Sequence, residues 1–350
     1  MPTFFSDTTS LQNVIRDIIV PYTAVFVFCD ENTEQHCLPL VESALTKAQI
    51  ISIPSGEQNK NISTCVVIWD KLTERVADRK SLLINLGGGV ICDMGGFAAS
   101  CYKRGIDFVN IPTTLLAMVD ASVGGKTGID FHNFKNQIGV FSEAKEVLIC
   151  NEFLKTLDQR QIRSGLAEIV KHYLIADEQA FRDFVEADRT EFLYPDIEII
   201  RKAIAIKSAI VEADPWEKNV RKKLNFGHTI GHVLESIALQ TNASLLHGEA
   251  VAFGMGIETF ISAFKSLIEE KDAELICYAL HSTFGLQALP EVLTDHILAY
   301  AIQDKKNING VIRMSLINAI GSCMTDIEVS ADEIRQALAY FNKSMDWYNK

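Results

Sequence analysis

Residues 81–100 read SLLINLGGGVICDMGGFAAS. A short apolar run, Ser81 to Leu86, leads into Gly87-Gly88-Gly89, and a second apolar stretch follows without a proline. That order reads as a buried strand, a glycine turn and a helix. Glycines let a backbone approach a phosphate closely, and the helix start supplies free N–H groups and positive potential. The G-x-G-x-x-G spacing is not met, because Cys92 stands where its third glycine would fall. Taken alone, the stretch is either a phosphate-binding turn or a tight turn with no ligand.

The same texture extends through the first half of the chain. AVFVF (24–28), QIISI (49–53) and DFVNI (107–111) are short β-rich runs separated by helix-like segments. Strand, helix and strand in series predict a largely parallel sheet with helices on its faces. After Asn151 the strands thin out and long amphipathic stretches take over, among them IRSGLAEIVKHYLI and DIEIIRKAIAIKSAIVEAD. The expected fold is therefore an α/β, Rossmann-like dinucleotide-binding domain over 1–150, followed by a mostly α-helical metal-binding domain over 151–350. The 350 residues suit two domains, and no repeat or low-complexity linker separates them. A cleft between two such domains is the default place for a ligand.

Composition narrows the function classes. Hydrophobic residues make up 48% and charged residues 22%, the balance of a folded globular chain. The net charge of −12, from 33 basic and 45 acidic residues, argues against nucleic acid as a partner. A local basic pocket for a small phosphate ester is compatible with it. The eight cysteines form no C-x-x-C pair and most sit in apolar runs, as buried thiols of a reducing compartment do. No signal peptide and no membrane-spanning run is evident, so the expected location is the cytoplasm, with no membrane partner.

Further motifs follow in the first half. IPTTLLAMVDASVGGKTGID carries Thr113, Thr114, Asp120 and Lys126. GGKTG is not a P-loop, because G-x-x-x-x-G-K-T would need glycine at Asp120. A lysine reaching a substrate phosphate or carboxylate remains. FKNQIG adds Lys135 and Asn136. The polar turn Ser55, Gly56, Glu57, Gln58, Asn59 and Lys60 could hold a cofactor ribose or base. Asp30, ending VFVFCD, is either an acceptor for a ribose hydroxyl or a solvated turn residue.

The second half offers metal ligands. In LNFGHTIGHVLE, His228 and His232 stand four apart, which puts both on one face of a helix. They are two ligands, one ligand and one catalyst, or merely neighbours. Glu168 lies among Leu166, Ala167, Ile169 and Val170 and needs a partner if buried. A salt bridge to Lys171 would serve, and so would a metal. His247, in LLHGEAV, is the third candidate. One carboxylate and two imidazoles leave coordination room for water or substrate, as catalytic zinc sites do. H-E-x-x-H is absent, which disfavours a standard zinc peptidase.

Taken in order, GGGVICDMGGFAAS, IPTTLLAMVDASVGGKTGID, FKNQIG, SGLAEIVKH, LNFGHTIGH and LLHGEAV closely resemble the 3-dehydroquinate synthase family, from about Asp30 to past residue 310. No single motif is specific, but the ordered set is. The resemblance implies catalytic NAD and a divalent metal, zinc or cobalt, held by Glu168, His228 and His247. It places NAD contacts on the 55–60 turn, on Gly89, Val90, Ile91, Cys92 and Asp93, on Thr113 and Thr114, and on Phe153, Leu154, Lys155 and Thr156. It places substrate contacts on Asp120, Lys126, Lys135, Asn136, Lys171, Lys207, Glu217, Arg221, Asn225 and His232, with Lys305 or Lys306. Arg104 resembles an arginine lent across a homodimer interface to the substrate phosphate. His232 is implied to face the substrate near the leaving phosphate, while His228 ligates.

The implied reaction converts 3-deoxy-D-arabino-heptulosonate 7-phosphate into 3-dehydroquinate and phosphate, a step of aromatic amino acid biosynthesis. NAD oxidises C5, phosphate leaves, C5 is reduced again, and the opened ring closes by an intramolecular aldol step. Two departures stand out: Cys92 replaces a usual glycine, which could tighten the approach to the pyrophosphate, and IDFHNFKN replaces a usual NHPxGKN before Lys135. The rival readings are sugar-phosphate cyclases making inosose or valiolone precursors, a glycerol-dehydrogenase-like metal enzyme, and a non-enzymatic NAD-binding regulator. Asn136, Arg221 and Asn225 favour dehydroquinate, and the lysine set argues against a simple dehydrogenase.

Overall fold

The structure is a computed structural model and describes residues 2–132, 134–240, 245–290, 293, 296–297 and 312–348. The 81–100 stretch folds as strand β4 (Leu82–Gly87) and helix α4 (Gly89–Cys101), with Gly88 as the helix cap. All six residues of β4 are buried, as in a strand covered on both faces. Beside it run β2 (Val25–Asp30), β3 (Gln49–Ile53), β5 (Asp107–Pro112), β8 (Glu146–Cys150) and β1 (Thr3–Phe5). The sheet order is β1-β8-β5-β4-β2-β3, and every pairing is parallel. The chain leaves β2 for β3 on one side and then crosses to β4 on the other. Strand order therefore switches between β2 and β4, where open parallel sheets bind ligands at the strands' carboxyl ends.

Helix α4 lies close on this sheet because its interior glycines allow it. A Cβ on Gly95 would collide with the Asn85 side chain of β4 and come within 2.9 Å of the Phe28 ring. Gly95 thus supplies the close helix–strand contact that the expected glycine at position 92 would have given. An antiparallel hairpin, β6 (Lys126–Phe131) with β7 (Phe134–Phe141), completes the α/β part. The core beneath it includes Phe26, Phe28, Ile68, Leu72, Ile91, Met94 and Ile129.

The chain divides into two units, residues 1–165 with 194–204, and residues 166–193 with 205–350. Residues 151–165, expected in the second half, belong to the first. The reason is local: Glu152 accepts from the Thr8 backbone N–H at 2.8 Å, and Thr156 lies 3.6 Å from Cys37. The second unit is mostly helical, with α5 (Gln159–Ala176) entering it, α6 (Glu178–Glu186), the end of α7 (Ile197–Ala213), α8 (His228–Gln240), α9 (His247–Phe264), α10 (Glu270–Phe284) and the helix Ala331–Tyr348. It also holds a hairpin, β9 (Ile312–Ala319) with β10 (Ser322–Val329), which the helical reading did not foresee. Its signal was the alternation of IRMSLINA and the turn at Gly321, whose φ is +81°. All eight cysteines are free and seven are buried. Among the described residues no helix is long and apolar enough to cross a membrane.

Candidate active site

In the first unit, the expected cofactor residues gather at the carboxyl ends of the strands. Gly88 and Gly89 follow β4, Thr113 and Thr114 follow β5, the 55–60 turn follows β3, and Asp30 ends β2. The first N–H groups of α4 open there, with no side chain capping them. Asp30 has another use: its Oδ1 accepts from the Thr33 backbone in a capping box that starts α2 (Glu31–His36). Ile91 and Cys92 are buried, and the Cys92 thiol turns inward toward the Gly87 carbonyl, 3.8 Å away. Burial pushes that thiol well above its ordinary range, so it packs rather than reacts. Phe153 and Leu154 are buried. Lys155 pairs with Glu152 at 3.0 Å.

A charged network ties the 55–60 turn to α4 and to the β6–β7 hairpin. Lys60 Nζ, 4% exposed, donates to Asp93 Oδ2 and to Asn136 Oδ1, each at 2.6 Å. Its carbonyl accepts from the Asp130 backbone, and Asp130 in turn accepts from the Asn136 N–H at 2.7 Å. Burial opposes the Lys60 charge, but Asp93 and then Glu57 outweigh it and raise its pKa. Asn136 is held in a left-handed conformation with φ +49°. Lys135 reaches Glu57 at 3.2 Å. Lys126 is exposed, and Asp120 sits half-buried in a turn of α-like backbone, Ala117–Ala121. Arg104 is exposed in a left-handed turn after α4, about 20 Å of helix away from Gly89.

The second unit brings together residues from three helices. Glu168 on α5, His228 opening α8 and His247 opening α9 have ligand atoms within 4.8 Å of one another. Glu168 is fully buried. Its Oε2 pairs with Lys171, while its Oε1 lies 3.5 Å from His228 Nε2 and 3.1 Å from His247 Nε2. The salt-bridge and the metal readings of Glu168 thus each claim one oxygen. His228 Nδ1 lies 3.1 Å from the Phe226 carbonyl, which fixes the Nδ1–H tautomer and turns the bare Nε2 toward Glu168. Burial, then the Lys171 charge, holds His228 well below its ordinary pKa against the pull of Glu168. A neutral imidazole lone pair aimed at a carboxylate oxygen is what a divalent cation satisfies, so the donor set fits a metal of the zinc class.

Sequence reasoning missed the residues behind this set. Glu235, one further turn along α8 and 4% exposed, lies 3.3 Å from His247 Nδ1 through both oxygens. Carboxylates behind ligand histidines fix ring orientation and basicity. Burial opposes protonation of His247, but the charge of Glu235 and the hydrogen bonds that the ring donates to Glu168 and Glu235 raise its pKa to about 10. The signal was available: His228, His232 and Glu235 follow helical spacing in HTIGHVLE. The His232 ring lies 5.1 Å from that of His228, edge-on, and 6.2 Å from that of His247.

Of the expected anion-binding residues here, Lys171, Lys207 and Arg221 are buried. Arg221 Nη1 donates to the Pro215 carbonyl at 2.7 Å, and its backbone N–H to Asp214. Asn225 donates to Glu217 at 2.7 Å, with Glu217 in a left-handed conformation at φ +56°. Lys305 and Lys306 lie outside the described residues.

Residues 50–164 match the family model described as 3-dehydroquinate synthase N-terminal, and residues 165–307 the one described as 3-dehydroquinate synthase C-terminal. The 3-dehydroquinate synthase of Parabacteroides distasonis is 38% identical over 341 residues, covering 95% of this chain and 96% of that one. A 2-epi-valiolone synthase of Actinosynnema mirum is 40% identical over 297 residues, covering 82% and 76%. Among solved structures, ValA, a 2-epi-5-epi-valiolone synthase of Streptomyces hygroscopicus with NAD+ and Zn2+ bound, superposes with a TM-score of 0.87. It is 27% identical, with 98% of this chain and 97% of that one covered.

Proposed function

This chain belongs to the 3-dehydroquinate synthase family, and from that premise we infer that it converts 3-deoxy-D-arabino-heptulosonate 7-phosphate to 3-dehydroquinate and phosphate. It is a carbon–oxygen lyase of aromatic amino acid biosynthesis that uses NAD and a divalent metal. The observation that carries the reading is the convergence of Glu168, His228 and His247 on one point, in a chain whose two halves match the two family models.

The residues divide the work as follows. The open N–H groups at the start of α4 would hold the NAD pyrophosphate, with the 55–60 turn, Thr113 and Thr114 around the rest. Glu168, His228 and His247 would hold the ion. When bound, NAD supplies the hydride acceptor and donor, and the ion a Lewis acid for the reacting oxygens. Lys126, Lys135, Asn136, Lys207, Arg221 and Asn225 would anchor carboxylate and phosphate. Fixed cations of this kind reconcile an anionic substrate with a chain of charge −12. His232 would carry a proton near the leaving phosphate, because an imidazole that binds no metal can still take up and release one. Arg104, remote along α4 from its own glycine turn, supports a homodimer in which it serves the partner's substrate. Eight unpaired thiols support a cytoplasmic location.

Product identification tests the reading. Purified chain with the substrate, NAD and zinc is expected to release phosphate and 3-dehydroquinate without net NADH. Absorbance growth at the NADH band, stoichiometric with substrate loss, would mark a dehydrogenase instead. The Actinosynnema relative favours one rival, a valiolone-type cyclase. Turnover of a sugar phosphate lacking the carboxylate, with none of the keto acid phosphate, would establish that rival.

A further inference from the structure

Helix α8 starts at His228 without a capping side chain of its own kind: the residues before it are Phe226 and Gly227. The orphan N–H groups of such a start need acceptors. They find them on another helix. Glu258, about three turns beyond His247 on α9 and fully buried, accepts from the Gly227 N–H on Oε2 at 2.6 Å and from the Ile230 N–H on Oε1 at 3.1 Å. The two helices approach closely enough for this because Gly227 adopts φ +78° and because a Cβ on Gly254 would run into the Gly227 carbonyl. One carboxylate therefore grips the backbone on both sides of His228, while the Phe226 carbonyl fixes its ring.

We propose that Glu258 is a positioning residue of the metal site, holding the start of α8 so that His228 Nε2 is aimed at the point shared with Glu168 and His247. The inference rests on the metal reading of that cluster. The carboxylate is suited to the task because each of its oxygens takes one amide. In Glu258→Gln, the new NH2 group would face an N–H donor, and one amide would lose its acceptor.

The test is zinc affinity of the full chain, read by competition with a chromogenic chelator at a pH above about 8, the value to which burial lifts the Glu258 carboxyl against its backbone hydrogen bonds. Phe260→Leu is the control, since Phe260 is buried on the same helix but packs on Tyr340, at 4.8 Å between rings. Glu258→Gln is expected to fold and to bind zinc about 10- to 100-fold more weakly than the original chain, while Phe260→Leu keeps its affinity at a comparable loss of melting temperature. Equal weakening in both variants, or unchanged affinity in Glu258→Gln, overturns the proposal. Should Glu258→Gln not fold, Glu258→Asp is read in the same way, as its shorter arm cannot span both amides. If neither folds, Glu258 holds the fold and not the ligand, and the proposal fails. An original chain that binds no zinc at all defeats the metal reading itself.

Discussion

Each unit buries a lysine beside a carboxylate, and the two pairs end differently. Lys60 meets Asp93 on one side and the Asn136 amide oxygen on the other, so donors face acceptors throughout. Lys171 meets one oxygen of Glu168, but the other oxygen faces the Nε2 atoms of His228 and His247. There, a lone pair of neutral His228 points at negative charge. The first cluster is closed and holds three segments in register. The second is open at His228, whose Nε2 lone pair a metal ion would satisfy. Burial alone does not tell a satisfied charge cluster from one that turns a lone pair on a carboxylate; the match of donors to acceptors does.

Loss of one proposed ligand is expected to have the largest effect. His228→Ala and Glu168→Gln are each expected to lose bound metal and about 10³-fold or more of turnover. Elemental analysis of the purified variants checks this. Full metal content in either variant would place the ion elsewhere.

His232 lies next in expected effect. Its ring stands beside the cluster, and His232, Glu235 and His247 form a second group that could hold an ion, but the ligands proposed here are Glu168, His228 and His247. His232→Ala is expected to keep nearly full metal content and to lose about 10²- to 10⁴-fold in turnover, the range of a general acid or base. If it is as depleted of metal as His228→Ala, His232 is a ligand and the division of labour proposed here is wrong.

The closed cluster should answer differently. Lys60→Met leaves the half-buried Asp93 carboxylate without its cation, which costs up to about 3 kcal/mol, the lower end for a fully buried pair that loses one partner. Denaturant unfolding measures the loss. Zinc affinity should not change, because every contact of this network lies in the first unit. A Lys60→Met chain of unaltered stability would mean that the network is not closed.

These contrasts explain what the sequence could tell. The parallel sheet was legible because β-rich runs such as SLLINL and AVFVF carry their own length and spacing. The ligand set was only half legible. His228 and His232 share a helix, so spacing presents them as a pair, whereas the structure joins His228 to Glu168 and His247 from two other helices. The ordered motifs supplied that grouping; periodicity could not. Glu258 was illegible for the same reason, since a buried glutamate in GMGIETF announces no partner until α8 and α9 are seen together. The Cys92 departure reads in the motif as a tighter approach to the pyrophosphate; in the structure its thiol faces inward and Gly95 makes the close contact with the strand. The hairpin at 312–329 was missed because two short alternating runs were outweighed by the helices around them.

The smallest expected effect is a proton count, and it separates the two ligand histidines. In the metal-free chain His228 is neutral, since burial and then Lys171 hold its pKa well below 6.5. His247 is protonated, because Glu235 and Glu168 overcome burial and raise its pKa to about 10. A metal needs the Nε2 lone pair of both. Binding at pH 8 should therefore release about one proton, from His247 and not from His228. The signs follow. With its folded pKa raised, His247 stabilises the metal-free chain fully below about 6.5, and that contribution fades as pH rises through about 10. Zinc affinity runs the other way, rising about tenfold per pH unit over the same window while one proton must leave. Calorimetry of zinc binding in buffers of different ionisation enthalpy counts the protons. Glu235→Gln removes the charge that raises His247, so its release at pH 8 should fall below one. Two protons released by the original chain would mean that His228 is also protonated, and no lone pair would then face Glu168 in the metal-free chain.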